Sequence, residues 1–181
     1  TTGSRAFIPK IEGLEKEDIL TNETIFSLTE LPKRLLIIGG GPIGCEMAQT
    51  FRRFGSEVYL LHKYDHILSR EDKDEAKIVQ DQFISEGIHL VLNCQTKRVE
   101  KNNGTKIVHF ECEGEGKSLE VDQILVATGR IPNIEGLNLE SVGVKYDSRA
   151  GVIVNDRLQT ANKRIFAAGD ICLKYKFTHM A

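Results

Sequence analysis

The sequence has no tryptophan, only two methionines and four prolines, and no apolar run near the ~20 residues of a membrane helix. Its longest apolar stretches are strand-sized, so no membrane partner is expected. It also lacks an excess of either charge: 24 Lys and Arg against 26 Asp and Glu leave a net charge of −2. That balance excludes bulk attraction to nucleic acid or anionic lipid, and any anion binding must be local. The four cysteines, Cys45, Cys94, Cys112 and Cys172, fall in no C-x-x-C, zinc or haem pattern, and 181 residues can bury a core without disulfide staples. They read as reduced thiols of a cytoplasmic protein. The five histidines show no ligand spacing, so no metal is assigned. The opening Thr1-Thr2-Gly3-Ser4-Arg5 has neither signal-peptide features nor an initiator Met, and the chain is expected to be an excised piece.

What is present is 40% hydrophobic and 28% charged residues with 16 glycines, the composition of a globular protein, and the elements that follow alternate as in an α/β fold. Arg34 to Ile38 is a short apolar run of the kind buried on both faces of a parallel sheet. It enters Gly39-Gly40-Gly41-Pro42-Ile43-Gly44, after which Met47, Ala48, Phe51 and Phe54 recur at helical spacing until Gly55. Glu57 to Leu61 reads as a second strand, completing a βαβ unit. Asp72 to Glu86 predicts a second helix and Ile88 to Val91 a third strand. Lys97 to Glu100, Lys106 to Cys112 and Ser118 to Val121 alternate around Asn102-Asn103-Gly104 and Gly114-Glu115-Gly116, the pattern of an antiparallel meander. Asp122 to Ala127 returns to an apolar strand. Gly151 to Asn155 and Arg164 to Ala168 predict further strands, and the chain ends in what reads as the start of a helix.

Gly39-x-Gly41-x-x-Gly44 sits where a dinucleotide fingerprint must, after a strand and opening a helix. The first glycine permits the turn, the second leaves room for a pyrophosphate, and the third lets helix and strand approach. The helix N-terminus then offers N–H groups and partial positive charge to the diphosphate. No Gly-Lys-Ser/Thr follows, which excludes a Walker-type loop. The second strand ends Leu60-Leu61-His62-Lys63, without the acid that would hold a ribose 2′-hydroxyl; Glu57 lies at the wrong end of that strand. Lys63, with help from His62 and Arg70, would pair with a 2′-phosphate, a lean toward NADPH. The alternative is a solvated Lys63 and lax selection. Glu46 is either a first-turn stabiliser of the helix or a group for another partner, because a carboxylate repels phosphate. Cys45, also near a helix start, is read as a packed residue, not a nucleophile.

These residues, with Thr2-Gly3-Ser4-Arg5 and Pro9, Ala127-Thr128-Gly129-Arg130-Ile131-Pro132-Asn133, Thr160, and Ile165-Phe166-Ala167-Ala168-Gly169-Asp170, resemble the FAD-dependent pyridine nucleotide-disulfide oxidoreductases. Arg70-Glu71-Asp72 and the tail Phe177-Thr178-His179-Met180-Ala181 look most like the mercuric reductase and dihydrolipoamide dehydrogenase branch.

The resemblance implies a Rossmann-type domain, a parallel sheet plus an antiparallel β-meander, with a partial FAD-domain segment at the C-terminus. The expected division is 1–24 as a lead-in from the FAD domain, 25–140 as the NAD(P)-binding domain and 141–181 as the return segment. Gly39, Gly41, Pro42, Ile43 and Gly44 would hold the dinucleotide, Glu46 would orient the nicotinamide against the flavin, and Gly129 would line the same site. Asp170 would accept hydrogen bonds from the FAD ribityl hydroxyls, with Gly169 allowing close approach. Pro42 replaces a gating Tyr of several relatives, and no Cys-x-x-x-x-Cys pair is present, so no catalytic residue is assigned in this chain. The implied parent is a homodimeric flavoprotein passing hydride from NAD(P)H to FAD and on to a disulfide or thiol-bound metal ion. The rivals are a soluble transhydrogenase or NAD(P)H oxidase, and, in another class, a non-catalytic nucleotide-sensing module.

Overall fold

The computed structural model describes residues 1–173, and the expected terminal helix and the 177–181 motif lie outside them. In chain order the elements are β1 (Ser4–Ala6), β2 (Arg34–Ile38), α1 (Pro42–Phe54), β3 (Glu57–Leu61), α2 (Lys73–Ser85), β4 (His89–Val91), β5 (Cys94–Asn102), β6 (Thr105–Cys112), β7 (Glu115–Val121), β8 (Gln123–Val126), β9 (Arg130–Pro132), β10 (Tyr146–Asp147) and β11 (Gly151–Val152). They fall into two compact units, one of Ile8–Gly129 and one joining Thr1–Phe7 to the chain from Arg130 onward.

In the first unit, β4, β3, β2 and β8 form a parallel sheet in that order, and β5, β6 and β7 form an antiparallel meander. The apolar strands expected from the sequence are buried on both faces, and strict alternation divides them. Leu35, Ile37, Val58, Leu60 and Leu125 face a core shared with Ala48, Phe51 and Phe83 of the helices. Leu36, Ile38, Leu61, Ile124 and Val126 face Val99, Val108, Phe110 and Val121 of the meander. The result is three layers: helices, parallel sheet, meander.

Local chemistry sets the helix ends. Pro42 occupies the first position of α1, where its missing N–H is no loss, and Gly55 closes the helix at φ 110°, its N–H donating to the Phe51 and Arg52 carbonyls. Asp72 caps α2 by accepting from the Asp74 N–H at 2.9 Å. Glu86, after α2, accepts from Arg53 and Gln49 of α1, which ties the helices together.

The unit border differs from the expected division at residues 24 and 140. Leu14, Ile19, Leu20 and Ile25 are buried in the cores of the first unit. The segment is also stitched along β8, where the Leu20 N–H donates to the Ile124 carbonyl and the Val126 N–H to that of Leu20. In the second unit β1 pairs antiparallel with β9, and Val144, Val152, Ala167 and Ile171 share a small core. The expected strand over Arg164 to Ala168 does not form, and that over Gly151 to Asn155 shrinks to β11. Backbone bonds there close local turns: the Thr160 N–H donates to Ile165 and the Ala167 N–H to Leu158, leaving one isolated bridge, Gln159 to Phe166.

One expectation is overturned outright. Cys94 and Cys112 are not reduced thiols but form a disulfide across β5 and β6. A disulfide removes the ground for placing the chain in a reducing compartment. No described helix is long and apolar enough to cross a membrane.

Leu60 is 0% exposed between the helix layer and the sheet, whereas Phe54 is 66% exposed. Leu60→Ala is expected to lower unfolding free energy by about 2–5 kcal/mol. Phe54→Ala is expected to change it by less than about 0.5 kcal/mol in the same urea titration. Comparable losses at the two positions would refute the layer assignment.

Candidate functional site

The crevice at the C-terminal ends of β2 and β3 is built by backbone approach. Gly39 leaves β2 at φ 116°, and a Cβ there would lie 2.4 Å from the Ala127 carbonyl oxygen. At residue 44 a Cβ would lie 1.9 Å from the Gly39 carbonyl oxygen. Neither position accepts a side chain without moving main chain. Gly41 is different: its φ of −80° is ordinary, and a Cβ there would meet nothing within 4 Å. The space beside it is open, and no side chain caps the first turn of α1. Unbranched backbone, an uncapped helix start and open space beside it are what a diphosphate requires.

Around this loop lie the other candidates of the same unit. Pro42 and Ile43 begin α1, and Glu46, on its next turn, is exposed. Gly129, at φ 143°, follows Ala127 and Thr128 past the end of β8, and a Cβ there would also meet open space. Lys63 is exposed, with its Nζ 4.8 Å from the centre of the Tyr64 ring, and Arg70 is exposed as well. Cys45 is buried, and burial followed by the adjacent Glu46 pushes its thiol up to about 12, so it is no thiolate. Gly169 and Asp170 belong to the other unit. There Asp170 Oδ2 accepts from Ser4 Oγ at 2.5 Å and lies 3.3 Å from Arg130 Nε, which itself donates to Ser4 Oγ at 2.6 Å. Among the described residues no group of three or more His, Cys, Asp or Glu is placed to hold a metal ion.

His62 is the residue whose placement the sequence concealed. It is 8% exposed, and its Nδ1 accepts the Gly40 N–H at 2.9 Å. The ring lies flush against the loop: a Cβ at residue 40 would stand 2.9 Å from its Cγ. Nε2 is buried with no hydrogen-bond partner among the described residues. The imidazole therefore holds the loop from beneath, while the neighbouring Lys63 faces solvent. A histidine at a strand end carries no sequence signal for this, because the partner is a backbone N–H 22 residues away.

An Nδ1 that accepts a hydrogen bond must be unprotonated. Burial, then Lys63, then His66 depress the His62 pKa below its usual 6.5. Protonation thus favours the unfolded chain: the contribution of His62 is complete above pH 6.5 and is lost as pH falls from there through the depressed folded value. Urea midpoints of the wild type and His62→Gln, compared between about pH 5 and 7, are expected to show a steeper acid loss in the wild type. Identical slopes would show that the imidazole is not held neutral.

The full sequence, residues 1–181, matches the family described as pyridine nucleotide-disulphide oxidoreductase. The chain is 40% identical over 180 residues to a mercuric reductase of Lysinibacillus sphaericus, covering 99% of this chain and 33% of that protein. It is 34% identical to a dihydrolipoyl dehydrogenase of Geobacillus stearothermophilus, covering 99% of this chain and 38% of the relative. Among solved structures, the HOCl-induced flavoprotein disulfide reductase RclA of Escherichia coli, in its Cu(II) complex, superposes with a TM-score of 0.90 at 32% identity, over 99% of this chain and 40% of RclA. The chain thus spans about a third of the length of the mercuric reductases of Lysinibacillus sphaericus and Staphylococcus aureus that it matches. With a parallel sheet, a meander and a glycine loop opening the first helix, the chain belongs to the pyridine nucleotide-disulphide oxidoreductase family.

Proposed function

We propose that this chain is the NAD(P)H-binding portion of a flavoprotein oxidoreductase, with the dinucleotide lying over Gly39 to Glu46. The observation that carries the reading is Gly41: ordinary backbone and empty space where a side chain would project, at an uncapped helix start. The diphosphate would take that space and meet the first-turn N–H groups and the positive end of α1. Gly129 would border the same crevice, and exposed Glu46 would orient the nicotinamide ring.

Lys63 would pair with a 2′-phosphate, which supports a preference for NADPH. His62, whose Nδ1 is engaged by Gly40, would serve the loop and leave the phosphate to Lys63. For FAD, the fitting residues are Gly169 and Asp170, whose carboxylate is steadied by Ser4 and Arg130 and would accept from ribityl hydroxyls. Bound there, FAD would supply the two-electron transfer that links NAD(P)H to a disulfide or a thiol-bound metal ion. This chain's part is to hold the nicotinamide in register, since orientation supplies much of the rate in such transfers. A homodimeric parent belongs to the same reading.

Calorimetric titration of the chain with NADPH and NADH tests it. Wild type is expected to bind, and Gly41→Val to bind at least about tenfold more weakly, ~1.4 kcal/mol, with an unchanged melting transition. Lys63→Ala is expected to weaken NADPH roughly three- to tenfold and to leave NADH unchanged. A wild type indifferent to both nucleotides would defeat the reading, and equal effects on both at Lys63 would remove the NADPH preference.

A further inference from the structure

We propose that Cys94–Cys112 is a reversible thiol-exchange site, opened by neutral or cationic low-molecular-weight thiols and read at the glycine loop through His62. The two residues stand directly opposite on β5 and β6, with Cα atoms 4.3 Å apart. Their accessibility is unequal. Cys94 is 3% exposed, whereas Cys112 is half-buried at the last position of β6, beside the turn through Glu113 and Gly114. An incoming thiolate therefore reaches Cys112 Sγ, and Cys94 is the leaving group.

The exchange balances in two steps. A small thiolate bonds to Cys112 Sγ, the Cys94–Cys112 bond breaks, and Cys94 leaves as a thiolate that takes a proton from water. A second small thiol then attacks the small-molecule sulfur of the mixed disulfide and frees Cys112. Two thiols are oxidised to their disulfide and the protein disulfide is reduced by two electrons. The opened state has an acceptor in place, because Leu92 O lies 2.8 Å from Cys94 Sγ and would take the new S–H.

Charge selects the thiol. Glu111, Glu113 and the cross-strand partner Glu115 are all exposed around Cys112. Lys97 lies 3.6 Å from Glu111 and Lys117 lies 3.8 Å from Glu115, so two lysines face three carboxylates. The surplus negative charge disfavours a thiolate that carries further net negative charge, as glutathione does through its carboxylates.

Transmission follows the backbone. The Cys94 N–H donates to the His62 carbonyl at 3.0 Å, the His62 N–H to Val91 at 2.8 Å, and the Asn93 N–H to Tyr64 at 3.0 Å. The His62 ring in turn holds Gly40. Unbonded sulfurs need more room than bonded ones, and buried Cys94 can yield only by moving its strand end, which bears on His62. An effect on nucleotide affinity rests on the function proposed above; the exchange and the loop response do not.

The test is peptide-mapped alkylation of the native chain, with amide hydrogen exchange at Gly40 as second readout. Without reductant, Cys94 and Cys112 are expected to resist alkylation. 2-Mercaptoethanol is expected to open the pair through an adduct on Cys112, about tenfold faster than glutathione at low salt, the gap narrowing as salt rises. Opening is expected to speed Gly40 exchange about tenfold, and Cys112→Ser to reproduce that without reductant. Free alkylation of both cysteines in untreated protein, opening only in denaturant, no preference between the thiols, or an unchanged Gly40 rate would each overturn the proposal. Failure to bind nucleotide in either state, with the sulfur and Gly40 results intact, would instead defeat the proposed function.

Discussion

The site depends on one backbone approach: the Gly39 carbonyl oxygen occupies space that a side chain at residue 44 would need, 1.9 Å from where its Cβ would be. Helix α1 begins this close to β2 only because residue 44 is glycine. From that contact follows the aim of the first-turn N–H groups into the crevice beyond the strand ends, where open α/β sheets bind ligands. Ala127, just past β8, presses on Gly39, and His62, just past β3, presses on Gly40, so the loop is held on both sides where neighbouring strands end.

This arrangement needs a rigid floor, and the sheet supplies it. Each central strand sends alternate residues to the helix core and to the meander core, so neither layer can shift without disturbing the other. The meander therefore supports the site through the sheet. Through Cys94 it also reaches the carbonyl of the residue that holds the loop, which gives an element far from the crevice a physical route to it.

Much of this was legible in the sequence. β2, α1, β3 and α2 lie within a residue or two of their expected bounds, because apolar runs, glycine stops and an Asp cap are local signals. The glycine loop was recognisable for the same reason. Two misreadings share another cause. Arg164 to Ala168 has strand-like residues, yet its backbone groups are used by turns around Thr160 and Asn162. Cys94 and Cys112, 18 residues apart, carry no pairing signal in the sequence, because their pairing needs an irregularity that alternation does not show. From Asn102 opposite Thr105, regular pairing would set Cys94 against Glu113. A bulge at Lys97, between Thr96 and Arg98, moves the register by one and brings Cys112 across.

The sequence alone determined the layers and the loop, since hydrophobic period and glycine spacing act over a few residues. Only the tertiary structure decided that His62 turns inward to Gly40, that Lys63 stays in solvent, and that two distant cysteines meet. Those outcomes depend on which backbone groups and strand registers fold against one another, and such long-range pairing leaves no mark in the local order of side chains.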